Sequence, residues 1–187
     1  EYDTNKNVVK ETNILGEATE YVYWENGIDL KSVKPSVGSE VSYTYDAYHN
    51  VKTMVEITEN PNGSDYTTTY LYEYDAYGNV LSTSISQTCD DPDYVPLVQK
   101  TATTYTEAGN YVHTTTDGNG KTTTYGYDPQ TGILLWTQYP EDTASTRTYY
   151  EYDEMYRLIK TYATTDQNKQ MSAEYVYAED LLTSLVT

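Results

Sequence analysis

The alternation of polar and apolar positions is clearest around residue 72, where Tyr70, Tyr72 and Tyr74 interleave with Leu71, Glu73 and Asp75. A period of two puts successive side chains on opposite faces of a strand, so the three tyrosines are expected on one face. The alternation stops at Asp75-Ala76-Tyr77-Gly78-Asn79. Asp75 can accept a hydrogen bond from backbone two residues on, which suits the first position of a type I turn, and Gly78 supplies a left-handed residue to close it. Val80-Leu81-Ser82-Thr83-Ser84-Ile85 resumes with apolar and hydroxyl residues and predicts the returning strand. The segment predicts a β-hairpin.

The same phrase recurs through the chain. Indexed on the position of Asp75, copies fall at Asp3, Trp24, Asp46, Asp75, Thr106, Asp128, Asp153 and Ala178, eight in all at a mean step of 25 residues. Two strands of roughly eight residues with a tight turn at each end need about 22 residues, so each repeat is one hairpin and its connection. Glycine, or a substitute for it, closes the turns: Gly27, Gly78, Gly109 and Gly132, with His49 in the third copy, where a histidine must accept positive φ. The last copy, Tyr177-Ala178-Glu179-Asp180-Leu181, has a shortened turn. Asp117-Gly118-Asn119-Gly120-Lys121 has tight-turn chemistry for linking a returning strand to the next outgoing one. The two longest steps hold a turn cluster, Glu59 to Asp65, and an acidic, proline-broken excursion, Cys89 to Pro96. No segment shows sustained helical spacing. The fold class expected is all-β: tandem antiparallel hairpins forming a long, strongly curved meander of about sixteen strands, one array over residues 1–187. The chain opens in mid-phrase at Glu1-Tyr2-Asp3, which reads as a piece of a longer protein whose array is truncated at the N-terminus.

Composition sharpens this picture. Tyrosine occurs 24 times and phenylalanine never, within a hydrophobic fraction of 37%. That leaves little aliphatic material for a dry core and favours a sheet with both faces partly solvated, on which tyrosines pair across strands with wet hydroxyls. The net charge of −18, from 29 acidic and 11 basic residues, excludes a nucleic-acid partner, because no basic patch exists to release counterions. It also disfavours an anionic membrane surface, and no apolar run is long enough to predict membrane insertion. Cys89 is the single cysteine, so no internal disulfide is available, and it reads as an incidental half-buried thiol.

The in-phase tyrosine pairs and aspartates at Asp46, Asp75, Asp128 and Asp153 resemble the Rhs, or YD-repeat, family. Its signature is tyrosine, any residue, tyrosine-aspartate, two residues, glycine, arginine or asparagine, then leucine or valine. The resemblance covers nearly the whole chain. Departures are Trp24, Thr106 and Ala178 at the aspartate position, and asparagine (Asn7, Asn50, Asn79, Asn110) more often than arginine, with Arg157 matching the commoner residue. The resemblance implies a β-strip that spirals into a hollow shell, found in bacterial polymorphic toxins, insecticidal toxin complexes, wall-associated proteins and animal teneurins. The family's autoproteolytic motif has no match here. On that resemblance the chain is expected to be a non-catalytic segment of a large exported protein, extracellular or at the cell surface. Its partners would be the rest of the parent polypeptide and an enclosed domain. The unpaired strand edges of such a piece are expected to self-associate.

Candidate chemistry is sparse. His49 sits in a turn and His113 in a strand, with no second ligand near in sequence to suggest a metal site. Asp90, Asp91 and Asp93 could offer oxygen ligands to calcium, but without the spacing and glycine of a calcium loop they read as a solvated acidic loop. No catalytic residue and no cofactor is expected. The motif residues Asp3, Asp46, Asp75, Gly78, Gly109, Asp128, Gly132 and Asp153 are assigned to turns. The alternative function is a carbohydrate- or surface-protein-binding module that stacks sugars on Tyr70, Tyr72, Tyr74, Tyr125, Tyr127, Tyr150 and Tyr152; against it stands the need for those same rings as cross-strand ladders.

Overall fold

The computed structural model describes residues 1–60, 63–165, 168–178 and 181–186. Every regular element among them is a strand: β1 (Lys10–Thr12), β2 (Ala18–Tyr23), β3 (Leu30–Pro35), β4 (Glu40–Tyr45), β5 (Val51–Thr58), β6 (Tyr66–Tyr74), β7 (Val80–Cys89), β8 (Leu97–Tyr105), β9 (Val112–Thr116), β10 (Thr122–Tyr127), β11 (Leu134–Gln138), β12 (Thr148–Tyr152), β13 (Leu158–Thr165), β14 (Asn168–Ala178) and β15 (Leu181–Val186). The first hairpin is reduced to a single bridge, Tyr2 with Val8. The chain forms two compact units, Glu1–Thr101 and Ala102–Thr187. In the first, β1 to β7 pair antiparallel in sequence order. In the second, the Ala102–Tyr105 end of β8 pairs with β9, and β9 to β15 follow in sequence order. The all-β, antiparallel hairpin meander expected from the sequence is the fold.

Burial follows from the tyrosine-rich composition. Among the described residues Ala173 is the one buried hydrophobic side chain, and Asp29, Ser82 and Thr137 are the buried polar ones. Most strand residues are half-buried, as expected of a sheet whose two faces both meet water. No helix of the described residues is long and apolar enough to cross a membrane.

One irregularity recurs. At or next to the end of seven outgoing strands the register shifts, at Val22/Tyr23, Thr44/Tyr45, Glu73/Tyr74, Thr104/Tyr105, Gly126/Tyr127, Glu151/Tyr152 and Val176/Tyr177. Glu73 faces Ser82 whereas Tyr74 faces Val80, so Leu81 is the extra residue of a bulge. Lys31, Lys52, His113, Leu135 and Ile159 hold the same place in β3, β5, β9, β11 and β13. A bulge bends its strand and increases local twist, so each of these seven hairpins carries a built-in source of curvature.

Candidate functional site

The motif aspartates are consumed by their own turns. Asp75 Oδ1 accepts from the backbone N–H of Tyr77 (2.8 Å) and Asn79 (2.9 Å), while Oδ2 accepts from Asn79 Nδ2 (2.9 Å). The backbone closes the loop from both ends, Asp75 N–H to the Asn79 carbonyl (3.0 Å) and Gly78 N–H to the Asp75 carbonyl (3.2 Å), with Gly78 at φ 85°. Asp3 with Asn7, Asp46 with Asn50 and Asp153 with Arg157 repeat the arrangement, Arg157 Nε taking the place of the amide at 2.7 Å. The fifth residue of the turn therefore grips the first, a role that explains asparagine or arginine there and that sequence reasoning left unassigned. His49 takes φ 67°, as expected, and Lys6 and Tyr156 adopt 70° and 63° at the same position.

These bonds set the charge state. Bonds from the Asn50 amide first, and then from turn N–H groups, hold the Asp46 carboxyl below the usual carboxylate range. Burial pushes Asp75 upward, but its four turn bonds outweigh that and leave it lowered; Asp153 is lowered chiefly by the Arg157 N–H. Asn13, with Leu15 and Glu17 N–H on its Oδ1 and Gly16 at φ 86°, builds the same turn between β1 and β2, as Asp117 does between β9 and β10. The Asn13 turn escaped the sequence reading, which searched for tyrosine-aspartate.

Three turns are one residue longer. Their first N–H groups reach the sixth residue: Trp24 to Asp29, Thr106 to Tyr111 and Asp128 to Ile133. At Asp128 the carboxylate Oδ1 takes Gln130 N–H, Thr131 N–H and the Thr131 hydroxyl, and Gly132, like Gly109, has positive φ. In the Trp24 turn Asn26 accepts the N–H groups of Ile28 and Asp29, and donates Nδ2 to Asp29 at 2.6 Å. Asp29 also accepts from His49 Nδ1 at 2.9 Å, tying one turn to the next; burial raises the Asp29 pKa, but the His49 and Asn26 bonds prevail and lower it.

In three repeats the second tyrosine of the pair stitches its hairpin to the preceding one. The hydroxyls of Tyr45, Tyr74 and Tyr177 donate to the carbonyls of Leu30 (2.9 Å), Val51 (2.7 Å) and Leu158 (2.9 Å). Each carbonyl lies beside a bulge, where the ladder is disrupted and a backbone group needs another partner. Burial raises the pKa of Tyr45 and Tyr74, as it does those of Tyr72, Tyr127 and Tyr152, so the phenols remain donors across the neutral range.

All seven tyrosines proposed for sugar stacking, Tyr70, Tyr72, Tyr74, Tyr125, Tyr127, Tyr150 and Tyr152, are half-buried. The rings of Tyr72 and Tyr74 lie 6.5 Å apart, and Tyr150 donates to the Thr137 hydroxyl at 3.2 Å. Asp91 Oδ1 accepts Asp93 N–H within its loop, His113 meets the Tyr125 carbonyl at 3.2 Å, and Cys89 is a half-buried free thiol. Among the described residues no three His, Cys, Asp or Glu side chains gather as a metal site. The shortened turn at Glu179 and Asp180 lies outside the described residues.

Two recesses lie between successive turns. One is bounded by Trp24, Glu25, Asp29, Tyr45 and Asp46, with Lys31 Nζ 4.9 Å from the Trp24 ring centre. The other, in the second unit, lies between the Thr106 and Asp128 turns, where Tyr111 and Tyr127 stack at 5.1 Å. There Trp136 lies over Gly126, which has no side chain to displace it, and the Arg147 guanidinium covers the indole at 3.7 Å.

Fold and site together define a class: an array of antiparallel hairpin repeats joined by side-chain stitches. No family model matches the chain, and no curated protein matches it. Among solved structures, that of TcdB2-TccC3-Cdc42 aligns over 95% of this chain and 12% of its own, with 17% identity and a TM-score of 0.43. TcdB2-TccC3-TEV and TcdB2-TccC3 align over 94% of this chain at 14% and 16% identity, each with a TM-score of 0.39. The chain thus spans about one eighth of the length of these neighbours.

Proposed function

We propose that the chain is a non-catalytic wall segment of a large exported Rhs-type protein, part of a β-shell that encloses or displays another domain. The observation that carries this reading is the stitch: Tyr45, Tyr74 and Tyr177 each spend their hydroxyl on the hairpin before them, and the motif aspartates are spent on their own turns. Side chains so committed build a wall and leave no reactive group in the motif. The protein acts outside the cell, and its partners are the remaining repeats and the domain they surround. Self-association of the separate chain through its strand edges belongs to the same reading.

Limited proteolysis of the parent polypeptide tests it. The neighbouring domain is expected to be protected when this segment is present and cut when the segment is deleted; protection unchanged by the deletion would overturn the wall. The alternative, carbohydrate or surface-protein binding through the tyrosine rows, makes a different forecast. A glycan array would show specific binding lost on Tyr→Ala changes at Tyr70, Tyr125 or Tyr150 in a chain that still folds.

A further inference from the structure

We propose that the recess between the Thr106 and Asp128 turns binds an organic ammonium ion, a quaternary ammonium head group above all, against the rings of Tyr111, Tyr125 and Tyr127, with Glu107 and Asp128 as counter-charges. The recess is shaped by the long Thr106 turn. In a short turn the fifth residue folds back to hold the first, as Asn79 holds Asp75. In the long Thr106 turn the sixth residue is Tyr111, which reaches across to the next turn and lies against Gly132, where any Cβ would collide with the phenol. Tyr111 then stacks on Tyr127, and the recess they help bound has a volume of about 550 Å³, ample for a trimethylammonium group.

The chemistry of the lining selects the ligand. Four aromatic residues and two carboxylate side chains border the space; the Arg147 guanidinium is held on the indole of Trp136, which leaves the three tyrosines to meet a cation. Residues 102–187 carry 12 acidic against 5 basic side chains, so the surrounding field also draws a cation inward. Aromatic faces attract cations through the ring quadrupole, and among the described residues the same attraction holds Lys31 on Trp24, Arg147 on Trp136 and Arg157 on Tyr177. A sugar would need convergent directional donors and acceptors, whereas Asp128 Oδ1 already serves three donors and His113 Nδ1 meets the Tyr125 carbonyl. A charge without directional demands fits better. Burial raises the Tyr127 pKa and N–H bonds from Thr131 lower that of Asp128, so neutral rings and an ionised carboxylate coexist at neutral pH.

Choline chloride titrated into the 187-residue chain, followed by calorimetry and by indole fluorescence, tests the site. The expected result is saturable binding with a Kd on the order of 1 mM, and binding about tenfold weaker for the uncharged isostere in which carbon replaces the ammonium nitrogen. Glu107→Gln, at an exposed position, and Tyr111→Leu should each weaken choline about three- to tenfold, while Tyr48→Leu, on another turn, should leave it unchanged. Circular dichroism confirms that each variant folds; Glu107→Gln keeps the test decisive if Tyr111→Leu does not. Equal affinity for the isostere, absence of saturation, tighter binding of chitobiose than of choline, or full affinity in Glu107→Gln would each overturn the proposal. None of these outcomes depends on whether the array forms a shell.

Discussion

Tyr156 stands at φ 63°, in the place Gly78 holds in its turn, and the residue is 63% exposed. A left-handed conformation costs an L-residue about 1–2 kcal/mol, part of which glycine returns through its larger unfolded-state entropy, so Tyr156→Gly should stabilise by about 0.5–1 kcal/mol. A rise in the urea midpoint at constant slope checks this. His49 has the same strain but also holds Asp29, so the same change there removes a bond as it relieves the backbone.

The turn carboxylates of Asp46, Asp75, Asp128 and Asp153 are all lowered by hydrogen bonding. A folded pKa below the unfolded value of about 3.9 means a contribution present above that pH and lost as pH falls through the folded pKa. Urea midpoints should therefore be level near neutrality and fall steeply below about pH 4, and Asp75→Asn should flatten part of that fall. Such features were legible in the sequence because an Asx acceptor and a positive-φ residue act within five positions. The grip of Asn79 was visible only as a preference for asparagine. It requires knowing that the turn brings the fifth side chain back to the first.

A hairpin here is two strands, a turn and a bulge, and sequence reading supplies the first three. The strands announce themselves by alternation and the turn by aspartate and glycine. The bulge residue, Leu81 or Lys52, looks like any other strand residue; it is extra only when counted against the partner strand. The hydroxyl of Tyr74 was equally hidden, because its partner, Val51, lies 23 residues upstream. Tyr74→Phe keeps the ring and removes the stitch. Loss of a neutral, part-buried hydrogen bond should cost about 1 kcal/mol, and a double-mutant cycle with a substitution in the β4–β5 hairpin should show coupling. A Tyr74→Phe chain as stable as the parent would mean that water replaces the hydroxyl at no loss. The recess between the Thr106 and Asp128 turns was likewise out of reach, since it depends on Tyr111 reaching across to Gly132 in the next turn.

At the scale of the molecule, no dry interior holds the chain together; Ala173 is the one buried hydrophobic residue among those described. Stability then accumulates hairpin by hairpin, with each repeat contributing its own strands and its junctions to the neighbours. Removing Asp46 to Tyr74, which joins Tyr45 directly to Asp75 and preserves the phase, should lower the denaturant slope by roughly one sixth and leave a folded array. A chain that unfolds outright on this deletion would behave as a single cooperative core instead.

The stitches also have a direction. In each of the three, the hydroxyl belongs to the later hairpin and the carbonyl to the earlier one. At these three junctions a chain emerging from the ribosome exposes an unlatched bulge until the next hairpin arrives to fasten it. These three junctions work like a ratchet whose pawls point toward the N-terminus, so vectorial synthesis fastens them in order. Refolding from denaturant, where any hairpin can form first, has no such order imposed on it.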